Sequence, residues 1–277
     1  MRLSRIVRAM ASVWGVVAVA ALALLPSAIA FAQVGQPTPI TDEARSMHRL
    51  YIVVLSLAFA VFVGVVSALL FAIFRYRRRR ADDPLPPQIH GSAKIEAMWI
   101  AIPVIIVLTM FTYSAVVLAK TDRKAPEDAL TIRVTGFQFQ WQFDYNLQDL
   151  GSRKPVDREG TVTILGTPSN IPELVIPVDE PVEFVLHSND VIHSFFIPNF
   201  LYKLDVIPGL ENRFVVVPRV TGTFRGQCAE LCGVDHALML FTVRVVTRDE
   251  FDRWIVEQAA GTASGSADAS AGNGQQQ

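Results

Sequence analysis

Two uncharged apolar runs, residues 50–74 and 97–119, constrain this chain more than any other feature of it. A helix needs about 20 such residues to cross the hydrocarbon core of a bilayer, and both runs exceed that. Pro103 sits near the start of the second run, a place membrane helices tolerate because neighbouring groups re-satisfy the freed backbone. Between the runs stand Arg75, Arg77, Arg78, Arg79 and Arg80. Set directly against a membrane helix, such a cluster reads as a cytoplasmic anchor and not as a nucleic-acid patch, because Lys and Arg resist translocation. The loop of the hairpin is therefore expected inside, and everything after Lys120 outside. Composition agrees with a membrane protein: 51% of residues are hydrophobic and 18% charged.

The first 32 residues have the grammar of a signal peptide. Arg2, Arg5 and Arg8 precede an apolar stretch at 16–25, followed by Ala28, Ala30 and Ala32, with cleavage expected after Ala30 or Ala32. An uncleaved third helix is the other reading. Both leave residues 33–48 outside, so the orientation of the hairpin does not depend on the choice. No Cys follows the small residues, which argues against a lipoprotein anchor.

Residues 121–258 read as an all-β domain. Segments 131–135, 161–165, 182–186, 213–217 and 241–245 are β-branched and often alternating, with Pro or Gly between them. Short strands at this spacing predict a Greek-key sandwich or barrel. The aromatic run Phe137, Phe139, Trp141, Phe143 and Tyr145 alternates like a single strand with a core-facing side. Residues 248–257 read as a short closing helix, and 259–277, rich in Gly, Ala, Ser and Gln, as a disordered tail. Between 120 and 258 there are fourteen Lys or Arg against twenty Asp or Glu, a net of −6. Such a surface favours encounter with a basic partner.

The chain has only two cysteines, and both lie in Cys228-Ala-Glu230-Leu-Cys232-Gly-Val-Asp-His236-Ala-Leu-Met239. His193, in Asp190-Val-Ile-His193-Ser, precedes the first of them by 35 residues. Thiolate, imidazole and thioether together select copper over hard metals. A disulfide and a Cys2His2 zinc site are the plainer readings. Zinc leaves Met239 unexplained, and a disulfide leaves both the His and the Met unexplained.

The pattern Cys228-x-Glu230-x-Cys232-x-x-x-His236-x-x-Met239, preceded by Asp190-x-x-His193-Ser, resembles the dinuclear copper motif of cytochrome c oxidase subunit II. The similarity runs from about His48 to Glu257. It takes in Ile95-Glu96-Ala-Met-Trp99 entering the second apolar run and Gly136-Phe-Gln-Phe139-Gln-Trp141 opening the β domain. It also takes in Lys203-Leu-Asp205-Val-Ile-Pro208-Gly209 and Gly226-Gln227-Cys228. Four such segments in one order are more specific than a lone Cys/His cluster.

The resemblance implies a cupredoxin-like Greek-key barrel holding two copper ions, bridged by Cys228 and Cys232. His193 and His236 would each terminate one copper, with Met239 and the Glu230 main-chain carbonyl as axial contacts. It implies that the Glu230 side chain shares a magnesium or manganese ion with subunit I, and that Glu96 stands at the mouth of a proton path. Relatives carry a Trp at the position of Phe139 that receives the electron, so Phe139 and Trp141 are both candidates for electron entry here. Leu210 replaces an Arg common after Pro-Gly. The implied partners are subunit I and subunit III of a haem-copper oxidase, cytochrome c or another haem c donor, and the lipid bilayer; no nucleic acid is expected. The implied place is the plasma membrane of a bacterium, with the β domain on the periplasmic face. The implied role is electron entry, with delivery to haem in subunit I and reduction of oxygen coupled to proton translocation. A membrane-anchored copper-binding or copper-chaperone protein is the alternative. A copper-free subunit of the quinol-oxidase kind would have lost the ligands, all of which are present.

Overall fold

The computed structural model describes residues 35–77, 88, 90–157, 159–167 and 169–271, with side chains as far as Gly261. The expected signal peptide at 1–32 and Arg78, Arg79 and Arg80 lie outside the described residues. Helix α1 spans Asp42–Arg75 and helix α2 spans Ala93–Thr121. Both apolar runs are therefore helical, and the large apolar side chains along them, among them Phe59, Phe62, Ile105 and Phe111, face outward as a bilayer requires.

α1 starts eight residues before its apolar run. Thr41 accepts a hydrogen bond from Ala44 N at 3.0 Å, and Asp42 and Glu43 occupy the positive first turn, so the cap lies beyond the membrane-facing stretch. At 34 residues the helix is about 51 Å long, well over the roughly 30 Å hydrocarbon core. Its surplus first turns pack on the β domain, where Glu43 and Ala44 are buried. α2 keeps Pro103 inside its first turns and ends at buried Thr121, eight residues short of the first strand.

The β domain is two packed five-stranded sheets. The strands are β1 Leu130–Phe137, β2 Gln140–Leu150, β3 Thr161–Leu165, β4 Glu173–Pro177, β5 Val182–Ser188, β6 His193–Ile197, β7 Tyr202–Val206, β8 Asn212–Val216, β9 Gly222–Cys228 and β10 Leu240–Val246. One sheet has the order β3-β2-β1-β5-β8 and the other β4-β10-β9-β6-β7. β1–β5 and β10–β4 are parallel and the remaining neighbours antiparallel. The strand spacing predicts such a sandwich, and its cupredoxin-like form is the one the family resemblance implies.

Aromatic rings fill the space between the sheets. Phe195 of β6 and Phe241 of β10 stack at 4.8 Å, and Trp141 of β2 meets each edge-on at 5.6 Å. Phe143 and Phe184 extend the cluster on the opposite sheet. Such ring pairs contribute about 0.5–1.5 kcal/mol each beyond area burial. They lie directly beneath the loops that carry the metal-ligand motif.

Two expectations change. The run from Phe137 to Tyr145 is not one strand: the chain turns at Gln138 and Phe139, with Phe137 paired to Gln140 and Gly136 to Trp141. The alternation continues through a two-residue hairpin loop by coincidence, and only Trp141, Phe143 and Tyr145 are core residues of one strand. The closing helix α3 spans Arg248–Ala271, past the point where a disordered tail was expected. The stretch after Glu257 is rich in Ala and free of Pro, which favours helix. Residues 272–277 lie outside the described residues.

Tyr145 links the two sheets. Its buried hydroxyl donates to Val175 O at 3.0 Å and accepts from Val175 N at 2.9 Å, satisfying backbone groups of the edge strand β4. Tyr145→Phe should destabilise the domain by about 1–3 kcal/mol, because it strands a buried donor and acceptor together. Chemical unfolding of the full chain in detergent, followed by β-sheet circular dichroism, measures this; an unchanged midpoint refutes it.

Candidate metal centre

The ligand motif lies where three strand ends meet. His193 is the first residue of β6, Cys228 the last of β9, and Met239 precedes the first residue of β10. Cys228 N donates to Met239 O at 3.0 Å, which closes the loop between them, and Ala229 N donates to Ser194 O at 3.0 Å, which fastens it to β6. Within the loop, residues His236–Leu238 form one 3-10 turn. Gly233 has φ +141°, and a Cβ there would lie 2.8 Å from the Phe139 ring. Only glycine allows that backbone and that approach.

The donors form a ladder. His193 Nδ1 lies 4.0 Å from Cys228 Sγ, the two sulfurs are 4.0 Å apart, and Cys232 Sγ is 3.6 Å from His236 Nδ1. Met239 Sδ stands 3.8 Å from Cys232 Sγ, and Glu230 O is 3.3 Å from Cys228 Sγ. The two cysteines are not joined in the structure, and their sulfurs stand well beyond disulfide bonding distance. The ligand atoms of His193, Cys228 and Cys232 all lie within 4.8 Å of one another and can hold a metal ion. His193, Met239 and both cysteines are buried, His236 is half-buried, and the Glu230 side chain is exposed. Two thiols, two imidazoles, a thioether and one carbonyl fit copper by ligand softness, and they use Met239, which zinc would not.

The metal-free electrostatics are uneven. Burial opposes the Cys228 thiolate, but hydrogen bonds with His193, with the backbone at Glu230 and Ser194, and with His236 outweigh it and bring the thiol down to about 6. Cys232 has burial and the neighbouring Cys228 charge against it and is pushed up to about 12. One sulfur is thus a ready thiolate and the other keeps its proton until a cation arrives.

Asp190 and Gln138 stand behind the donor cluster without belonging to the ligand set. Asp190 Oδ1 faces His193 Nε2 at 2.8 Å and also accepts from Val191 N at 2.6 Å. Its Oδ2 accepts from Gln138 N at 2.6 Å, and Gln138 Nε2 donates to Cys232 O at 2.6 Å. One carboxylate and one amide therefore stitch the β5–β6 loop, the β1–β2 turn and the cysteine loop together. A carboxylate at Nε2 holds the proton there, so that on metal binding Nδ1 is the nitrogen that gives up its proton and offers its lone pair. The i, i+3 spacing of Asp190 and His193 is visible in sequence; the contacts of Gln138, 52 and 94 residues away, are not.

The other candidates are spread out. Trp141 is fully buried beneath the loop, with Nε1 donating to Met239 O at 3.4 Å and its ring 6.1 Å from that of His193. Phe139 is half-buried at the surface of the turn, against Gly233. Glu96 is in the first turn of α2, at the far end of the hairpin from the site, where Oε1 accepts from Ser92 N at 3.1 Å.

A membrane hairpin bearing a cupredoxin-like domain, with a soft-donor cluster at its strand ends, defines a membrane-anchored metal-binding redox subunit. Residues 130–246 match the family described as Cytochrome C oxidase subunit II, periplasmic domain, and residues 28–117 match the corresponding transmembrane domain family. The chain belongs to the cytochrome c oxidase subunit II family. It is 36% identical over 255 residues to a Streptomyces avermitilis protein named "Probable cytochrome c oxidase subunit 2", covering 83% of this chain and 80% of that one. It is also 36% identical over 210 residues to cytochrome c oxidase subunit 2 of Alkalihalophilus pseudofirmus, covering 72% and 56%. The crystal structure of the periplasmic domain of subunit II of cytochrome oxidase (CoxB) of Bradyrhizobium japonicum is similar over 50% of this chain and 99% of that one, at 34% identity and a TM-score of 0.42. Membership makes this chain a subunit of an oxidoreductase complex, anchored in a membrane by its hairpin.

Loss of the Asp190 contact should weaken copper binding by about 10–100-fold, the usual cost of removing a carboxylate behind a ligating imidazole. Competition of the full-length Asp190→Ala variant against a copper chelator measures this. Parent-like affinity would show that Asp190 only shapes its own loop.

Proposed function

We propose that this chain is the electron-entry subunit of a respiratory haem-copper oxidase. It takes electrons from cytochrome c or a similar haem c donor and delivers them to haem in subunit I, for reduction of oxygen to water coupled to proton translocation. The observation that carries the proposal is the donor ladder, in which Cys228 has the His193 imidazole and the Glu230 carbonyl within 4.0 Å and Cys232 has the His236 imidazole and the Met239 thioether within 3.8 Å. His193, Cys228, Cys232, His236, Met239 and the Glu230 carbonyl would hold two copper ions. Bound there, copper would supply one-electron transfer, and a ligand set drawn wholly from the chain would leave no open position for substrate.

The chain's own residues prepare that site. Asp190 sets the His193 tautomer, and burial of His193 and Met239 excludes water. Leu231, Val234 and Leu238 leave an exposed apolar rim on the ligand loop, suited to a protein contact. Phe139 and not Trp141 is the aromatic ring a docked donor can touch, because Trp141 is wholly enclosed. The exposed Glu230 side chain would share a magnesium or manganese ion with subunit I. A copper-carrier role calls for an open, exchangeable site, whereas four of the donor side chains here are buried. Subunits I and III, a haem c donor and the bacterial plasma membrane complete the reading, with the β domain on the periplasmic side because Arg75 and Arg77 resist translocation.

The copper-loaded full chain should contain two coppers per chain and give an electron paramagnetic resonance signal from one electron shared by both. One copper with a mononuclear signal would sink the assignment. Met239→Leu should keep the metal and shift its potential, since a weak axial ligand tunes more than it holds. A reporter enzyme active only outside the cytoplasm, fused after Gly160, should be active; silence would reverse the orientation.

Glu96 has a structural task, the Ser92 cap, beside the proposed proton-path role. Glu96→Gln separates them, because the amide oxygen still accepts from Ser92 N but takes up no proton. Turnover of the assembled oxidase should fall several-fold while copper reduction by the donor stays fast. Normal turnover in stopped-flow measurements would leave Glu96 as a cap alone.

A further inference from the structure

The connection between the hairpin and the β domain is not a linker. The segment entering α1 is woven into the sandwich: Ile40 N donates to Asn199 O at 3.1 Å, Arg219 N to Ile40 O at 2.7 Å, and Asp42 N to Val217 O at 3.1 Å. Thr41 and Pro218 form a β-bridge. Glu43, 6% exposed, has both oxygens engaged. Oε1 accepts from Arg123 Nη2 at 2.9 Å and Oε2 from Val217 N at 3.0 Å. Arg123 follows the last residue of α2 by two, and Val217 follows β8. One buried carboxylate thus ties the outer ends of both membrane helices to the domain. Arg219 adds a second grip, holding Asp42 through Nε at 3.0 Å and Nη2 at 2.7 Å, and Asp179 through Nη1 at 3.0 Å.

Stability alone does not account for such a joint. Burying a carboxylate is costly, and apolar residues of similar volume commonly do as well in its place. What an ion pair adds is direction, because each oxygen accepts only where a donor stands. The path from joint to site is also short and stiff. Asn199, which receives the Ile40 bond, lies in the turn Pro198–Phe200 that directly follows β6, and β6 begins at His193. The joint therefore lies one five-residue strand away from a metal ligand.

We propose that Glu43, with the Asp42–Arg219 pair, is a positioning joint that holds the metal-binding domain at one height and tilt over the hairpin. The proposal rests on the electron-entry reading for its purpose, since electron transfer to an acceptor in the membrane slows steeply with distance. Its geometry stands independently of that reading.

The test uses the assembled oxidase with spin labels on ketone-bearing non-natural residues at Phe59 and Gln148, which leaves both thiols free. Pulsed electron paramagnetic resonance should give one narrow distance in the parent. Glu43→Ala and Arg219→Ala should broaden it, and Glu43→Gln, which keeps an acceptor for Val217 N, should broaden it less. Electron delivery to subunit I should slow several-fold in the broadened variants, while copper content and the copper spectrum stay those of the parent. Parent-like narrow distances in both alanine variants would overturn the joint, and broad distances with parent-like electron delivery would overturn its positioning role. If Glu43→Ala does not accumulate, Arg219→Ala decides alone, since Arg219 is 35% exposed and its loss leaves no buried charge. A chain that binds no copper would defeat the electron-entry reading, and the distance measurement would still decide the joint.

Discussion

Two sulfurs 4.0 Å apart in a buried pocket cannot both carry charge without a cation between or beside them. Much of the β domain follows from that constraint. The pocket must be dry enough to make charge expensive, so it is floored by Trp141, Phe195 and Phe241. It must also be rigid enough to keep four side chains converged without metal, so His193, Cys228 and Met239 sit at the ends of β6, β9 and β10, and the loop that carries Cys232 and His236 is closed by the Cys228–Met239 backbone bond. The depressed Cys228 thiol and the elevated Cys232 thiol express the constraint in the metal-free chain. A cation relieves it, and soft donors determine which cation.

The parts legible in sequence are those whose signal is local. A membrane helix needs no tertiary partner to declare itself, and residues 50–74 and 97–119 are helical as read. The cysteine loop is equally local, with its four donors inside twelve residues. Helix ends were less visible, because α1 begins where Thr41 finds an acceptor role and Glu43 finds Arg123 and Val217, contacts across 80 and 174 residues. The turn at Gln138 and Phe139 was hidden for another reason. A two-residue hairpin loop preserves period-two alternation, so pattern alone cannot tell a turn from a continuing strand.

The same turn shows how little of a site's support is written next to its ligands. Gln138 bonds the acid behind His193 with its backbone and the carbonyl of Cys232 with its side chain. Neither bond gives a metal-binding signature, since glutamine is not a ligand of choice and the distances in sequence are long. Yet the pair fixes the relative position of two ligand-bearing loops. Phe139, the next residue, packs on Gly233 and so shares that register.

A Trp in place of Phe139 would conflict with this packing. Gly233 is already so close that a Cβ there would clash with the Phe ring. A larger ring in the same place would need the cysteine loop to move or the turn to swing outward. The surrounding side chains are consistent with the smaller ring, and the exposed face of the loop is apolar through Leu231, Val234 and Leu238. Net negative charge over the rest of the domain acts at longer range and is screened within about 8–10 Å at physiological salt. On the proposed electron-entry reading, attraction and fit would be separate: the acidic surface would gather a basic partner, and the apolar rim of the ligand loop would determine where that partner comes to rest.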